Sequence, residues 1–191
     1  MATIEKGDSK TYSYDEAIEL IKKAVAPLGE EYVGLIQKAK DERWIDVFPN
    51  KGKRSGAYQT GIYGYHPYIL ANFEGDLDSV FTLAHELGHA MHSYYSDKNQ
   101  PREMAGYCIF LAEIASTTNE ILLAKYQIEH EKDKNKKAEI IYELLEMIRA
   151  TLFRQAMFAE FEEKVHSKIE KGDILSSEEL NKIYYNYGKE D

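Results

Sequence analysis

His85, Glu86 and His89 fill a His-Glu-x-x-His frame inside the run TLAHELGHAMHSYYSD, residues 82–97. On a helix, residues four apart lie one turn above each other, so two imidazoles in this frame can present nitrogens to one ion. Glu86, beside the first histidine, is then placed to take a proton from water on that ion. Zinc suits such a pair: it accepts imidazole, keeps an exchangeable fourth position, and lowers the pKa of the water it holds. The chemistry implied is hydrolysis of a carbonyl compound with Glu86 as general base and later proton donor.

Two histidines and water leave such a zinc ion one protein ligand short. His92 lies only three residues past His89, and the longer metzincin frame, which needs a glycine and then a histidine at the third and sixth positions after its second histidine, meets His92 and Tyr95 instead. His92 therefore reads as a neighbour of the site or a structural histidine. The third ligand is expected to be acidic and to come from another helix. Glu103 follows Pro101 at an expected helix start, where a carboxylate also favours the helix terminus. Glu113 is better placed, because it sits in FLAEIASTTNE, an otherwise apolar run in which an unpaired charge is costly. Glu120, seven residues on, is a candidate to accept a histidine N–H and orient its ring, or simply a helix-surface carboxylate.

These residues sit among recognisable elements. Ser13 and Glu16 have capping-box spacing, and Ala17, Ile18, Ile21, Ala24 and Val25 recur at helical intervals up to Pro27. A second helix is expected over residues 29–40. WIDVFP, SGAYQTGIYG and HPYILANF, rich in aromatic and branched residues and broken by Gly, Pro and Asn, are expected to form short strands that pair antiparallel. Residues 77–96 return to helical periodicity through Val80, Leu83, Ala84, Leu87 and Met91. Gly88 inside that helix costs about 1 kcal/mol relative to alanine, which a close neighbour or a bound ion explains. Further helices are expected over 104–129 and 137–170, with a solvent-exposed connection around HEKDKNKKAE. Gly172 marks a stop, and Ser176 with Glu179 a second capping box before a tyrosine-rich terminal helix. The expected fold is mostly α-helical (α+β), one domain over residues 1–191 with a small antiparallel sheet.

FTLAHELGHAMHSYYS, FLAEIASTTNE and SGAYQTGIYGYHPYILANF together resemble the catalytic core of the oligoendopeptidase F family, related to thimet-type oligopeptidases. Similar segments extend from YSYDEAIELI through TLFRQAMFAEFE to EELNKIYYNYG, nearly the whole chain. The resemblance implies a zincin-like metallopeptidase core. His85, His89 and Glu113 are then the zinc ligands and Glu86 the residue that activates water. It further implies cytoplasmic cleavage of internal bonds in oligopeptides, with the SGAYQTGIYG and PYILANF region as a cleft edge whose backbone pairs with extended substrate. Members of this family also have a long N-terminal helical region and a later segment carrying a histidine and a tyrosine that stabilise the tetrahedral intermediate. Neither has a counterpart in this sequence, which therefore reads as a truncated portion of the catalytic domain. Tyr184, Tyr185 and Tyr187 read as helix packing rather than as replacements. Loss of one such donor costs roughly 3 kcal/mol in the transition state, so the alternative reading is a non-catalytic zinc- and peptide-binding module.

Composition sets outer limits. The 191 residues, 43% hydrophobic, are enough for one core, and a formal net charge of −9 opposes general binding to nucleic acid or anionic membrane. No stretch approaches the roughly 18 apolar residues of a membrane span, and residues 1–17 hold no apolar segment of signal-peptide length. The lone cysteine, Cys108, forms no internal disulfide, is expected to be a small buried hydrophobe, and fits a reducing compartment.

Overall fold

The computed structural model describes residues 10–187. The expectation for the leading residues 1–9 and for the side chain of Tyr187 lies outside the described residues. The chain forms two compact units, Met1–Ile140 and Ile141–Asp191.

In the first unit, helix α1 (Tyr14–Ala24) begins at the expected capping box: the Ser13 N–H donates to Glu16 Oε2 at 2.8 Å, and the Glu16 N–H returns to Ser13 Oγ at 3.2 Å. Ala17, Ile18, Ile21 and Ala24 form its buried face. Pro27 sits in a 3₁₀ turn (Ala26–Leu28), where its fixed φ and missing donor are harmless. Helix α2 (Glu30–Asp41) then packs Leu35, Ile36 and Ala39 into the same core.

Three very short strands follow, β1 (Ile45–Asp46), β2 (Tyr58–Thr60) and β3 (Tyr68–Leu70), in the order β1-β3-β2. β2 pairs with β3 antiparallel as expected, whereas β1 runs parallel to β3, so the sheet is mixed rather than antiparallel. Alternation and aromatic content favour strands at these places but do not carry their direction. That depends on how the intervening loop delivers β3 between its neighbours. Trp44, at the entry to β1, is 1% exposed and stacks on His66 with centroids 5.0 Å apart.

Helix α3 (Leu77–Asn99) is the axis of the unit. Asp76 caps it, accepting from the Ser79 N–H at 2.9 Å, and its Val80, Phe81, Leu83, Ala84, Leu87, Ala90 and Met91 are buried. Helix α4 (Ile109–His130) lies against α3 and turns Ala112, Ser116, Asn119, Leu123 and Ala124 inward. It starts five residues later than its apolar pattern suggests. Residues 101–108 form a turn at 102–104 and an irregular stretch instead, held where Ser96 Oγ donates to the Ala105 carbonyl at 2.7 Å. Cys108 occupies the extended N-cap position of α4 and is exposed, contrary to the expectation of a buried hydrophobe, because a cap residue lies outside the packed helix surface.

Helix α5 (Lys134–Ile148) follows a short connection and runs into the second unit. There a π-helical turn (Arg149–Phe153) interrupts what the periodicity suggested was one long helix, before α6 (Arg154–Glu170) continues. Gly172 has φ of 91°, and Ser176 with Glu179 caps helix α7 (Ser177–Tyr187). Tyr184 packs edge-on against Phe161 at 5.5 Å and stacks near Phe158 at 6.4 Å, the aromatic packing expected of it. Among the described residues no helix is long and apolar enough to cross a membrane.

Candidate metal centre

Helix α3 carries His85 and His89 one turn apart, and α4 brings Glu113 over the same face. The two Nε2 atoms are 3.0 Å apart, and Glu113 Oε2 lies 3.5 Å from that of His85 and 3.7 Å from that of His89. Among the described residues these three are the group whose ligand atoms converge, all within 4.8 Å of one another. A tetrahedral zinc with bonds of 2.0–2.1 Å has ligand atoms separated by about 3.3 Å, so this triangle has the size of one face of such a site.

The approach of the two helices is a matter of small residues. A Cβ on Gly88 would lie 2.6 Å from Ser116 Cα and 2.7 Å from the Ala115 carbonyl oxygen. A close neighbour therefore explains the glycine without recourse to an ion. With backbones this near, the side chain of Glu113 reaches across to α3.

The histidine tautomers also fit. His85 Nδ1 is 3.0 Å from Glu120 Oε1, so a proton donated there leaves Nε2 with a free lone pair toward the triangle. Burial of the His85 ring works against charge, but the Glu120 hydrogen bond and the nearby carboxylates of Glu120, Glu86 and Glu113 leave its pKa raised. His89 goes the other way: burial and the neighbouring His85 hold its pKa down, against the pull of Glu113 and of the Ala112 carbonyl that accepts from its ring.

Glu86 is 6% exposed, and its Oε2 is buried with no hydrogen-bond partner. Burial pushes its pKa up to about 7, with His85 opposing and Glu113 and Glu120 reinforcing the rise. A carboxyl that changes protonation near neutrality next to three convergent ligand atoms is suited to proton transfer.

Glu113 lies at the triangle, but not in the buried setting that its apolar run suggests. Its side chain is 44% exposed, and Ile109, Phe110, Leu111 and Ile114 around it are exposed too. Its position comes from the register of α4 on α3 and from Ser116 Oγ, which donates to its Oε2 at 3.0 Å. Glu103 lies exposed in the turns before α4 and outside the converging group. His92 is likewise outside it, its ring stacked on Tyr107 with centroids 3.8 Å apart and its pKa lowered by burial. Tyr107 in turn shares a 2.5 Å hydrogen bond with Ser93 Oγ, which also donates to Gln59 in β2 at 3.3 Å, tying the loop before α4 to α3 and to the sheet.

One further residue beside the site lies outside the candidates that the sequence offers. Asn119 is fully buried, donating to the Ala84 carbonyl at 3.1 Å and accepting from Tyr32 Oη at 2.9 Å. A polar amide next to Glu120 in the run that also holds Ile114, Ile121 and Leu122 was the available signal.

The sequence model of peptidase family M3 matches residues 7–190. Oligopeptidase PepF of Bacillus subtilis (strain 168) is 47% identical over 177 residues, covering 93% of this chain and 26% of that protein. The chromosomal oligoendopeptidase F of Lactococcus lactis subsp. cremoris is 44% identical over 173 residues, covering 91% and 29% respectively. A crystal structure from Chlamydophila abortus, described as a peptidase, superposes with a TM-score of 0.79 at 45% identity, over 96% of this chain and 31% of that one. This chain thus spans between a quarter and a third of the length of the relatives it matches. With a family model that covers nearly all of it, the chain belongs to peptidase family M3.

Proposed function

We propose that this chain carries the catalytic metal centre of a zinc-dependent metalloendopeptidase that hydrolyses internal bonds of oligopeptides. His85, His89 and Glu113 hold the metal and Glu86 is the general base. The single observation that carries this reading is the triangle of His85 Nε2, His89 Nε2 and Glu113 Oε2, with the buried Glu86 on the turn between the histidines. Kinship with proteins named oligopeptidase and oligoendopeptidase supports the substrate class.

A zinc ion at this triangle supplies Lewis acidity and lowers the pKa of water to near neutrality. The chain's own residues do the rest. Glu120 holds the proton on His85 Nδ1 and thereby keeps Nε2 a ligand. Glu86 takes a proton from the attacking water and passes it to the leaving amine, and burial of its carboxyl favours holding that proton between the two steps. Its Oε2 is buried on α3, and no other hydrogen-bond partner competes for the atom.

Metal content of the purified chain, measured together with hydrolysis of an internally quenched oligopeptide by the protein and by Glu86→Gln, tests the assignment. Zinc in both with hydrolysis at least about a hundredfold slower in the variant is expected. Equal hydrolysis by the two removes Glu86 as the base. Zinc and peptide binding with no hydrolysis by either is the outcome of a non-catalytic zinc- and peptide-binding module.

A further inference from the structure

We propose that Asn119, locked by Tyr32, is a positioning residue that fixes the axial register of α4 against α3 and so aligns the metal-binding side chains. The inference rests on the metal reading given above. It goes beyond that reading by naming a device, outside the ligand triangle, on which the geometry depends.

The two helices meet through matched positions that run in opposite senses along the chain. Glu113 reaches His85 and His89, Ser116 lies against Gly88, Asn119 donates to the Ala84 carbonyl, and Glu120 meets His85. Residues 113, 116 and 120 form one stripe of α4, and 85 and 89 one stripe of α3. The closest contact is made by Gly88, Ala115 and Ser116. Small side chains of this kind present few ridges, so van der Waals contact alone resists sliding weakly. A slip of one residue is 1.5 Å along the axis, enough to break the simultaneous fit of Glu113 and Glu120 to the two nitrogens of His85.

Asn119 supplies what the apolar contact lacks. In an α-helix the Ala84 carbonyl already accepts from the N–H four residues on, and the Asn119 amide uses its second lone pair. That bond is not required to satisfy α3, but it is directional and defines one register. Tyr32 on α2 completes the lock, because its hydroxyl donates to Asn119 Oδ1 and thereby holds the amide NH₂ toward Ala84. A single buried polar residue that sets register without adding to stability is the best attested use of such groups.

The experiment compares wild type with the double variant Tyr32→Phe/Asn119→Leu, which removes both partners while keeping their volumes. Zinc affinity is measured by titration calorimetry and folding by thermal unfolding of the metal-free protein. The expected result is an unfolding midpoint within a few degrees of wild type and zinc affinity reduced at least tenfold. Zinc affinity within twofold of wild type in the folded variant overturns the proposal. If the double variant does not fold, Tyr32→Phe alone decides: about threefold weaker zinc binding supports the lock and unchanged binding overturns it. If wild type itself binds no zinc, the metal reading fails, and the register claim is read from the metal-free proteins by NMR. The His85 Nδ1–H held by Glu120 should then exchange with solvent at least tenfold faster in the variant, and equal exchange overturns the proposal independently of any metal.

Discussion

His85 Nδ1 lies 3.0 Å from Glu120 Oε1, and the opposite nitrogen of the same ring is 3.5 Å from Glu113 Oε2. One imidazole is therefore clamped between two carboxylates of α4 set seven residues apart, two helical turns along one face. The clamp settles the tautomer. With the proton directed to Glu120, whose side chain is 12% exposed, Nε2 keeps a free lone pair beside the more exposed Glu113.

Glu120→Ala should therefore weaken zinc binding about 10- to 100-fold without removing any atom of the ligand triangle, the usual cost of losing a carboxylate behind a ligating histidine. Glu120→Gln should fall between, because its amide oxygen still accepts the Nδ1 proton but brings no charge. Competition with a chromogenic chelator measures both. Equal affinity in wild type and the alanine variant would remove Glu120 from the site.

Replacing either histidine tests the triangle more directly. His85→Ala or His89→Ala should abolish stoichiometric zinc. It should also abolish the rise in thermal stability on adding zinc, which for wild type amounts to about 2.7 kcal/mol at a hundredfold excess over Kd. Zinc-dependent stabilisation that persists in both variants would place the ion elsewhere.

What the sequence could reveal of this centre divides along the line between local and tertiary information. The His85, Glu86 and His89 spacing is a property of one helix, and it reads correctly from four residues of periodicity. The capping boxes at Ser13 and Ser176 are equally local and appear where expected. The apolar run around Glu113 suggests burial, yet its side chain is 44% exposed. The same apolar run of α4 contains Ile109, Phe110 and Ile114, all exposed, so hydrophobic character there did not report which face turns inward. Asn119 was invisible for the complementary reason. Its role is a register between two helices and a hydroxyl 87 residues away, neither of which leaves a period in the sequence. The parallel pairing of β1 with β3 escaped notice likewise, because strand direction is set by the path of the chain between strands.

Gly88→Ala probes the helix contact itself. Alanine is favoured over glycine inside a helix by roughly 1 kcal/mol, yet here the added Cβ would stand 2.6 Å from Ser116 Cα, a backbone atom that cannot turn aside. Overpacking of this kind typically costs 1–3 kcal/mol, so the steric term should win. The expected result is a net loss of about 1–2 kcal/mol in chemical denaturation, with weaker zinc binding as α4 moves away from α3. A stabilised Gly88→Ala protein would mean that the two backbones do not approach as closely as described.

Alkaline pH offers a test of the α2 contact that needs no metal. Burial pushes the Tyr32 phenol up to about 12, against the lowering influence of its hydrogen bond to Asn119, and the Tyr14 phenol is also raised to about 12 by burial with Asp15 adding to it. For a group whose folded pKa lies above its unfolded value, the stabilisation is complete below the unfolded pKa, here 10, and is lost as pH rises through the folded one. Stability of the wild type should thus fall between pH 10 and 12 as the unfolded chain ionises first. Tyr12 and Tyr95 are raised by burial as well, so Tyr32→Phe removes one of several contributions and should flatten that fall in part, while costing about 1 kcal/mol at pH 7 for the lost hydrogen bond. Denaturant midpoints measured at pH 7, 10 and 11.5 distinguish the two effects. An identical slope in wild type and Tyr32→Phe would show that the phenol is not sequestered against Asn119, and the register lock would lose its outer half.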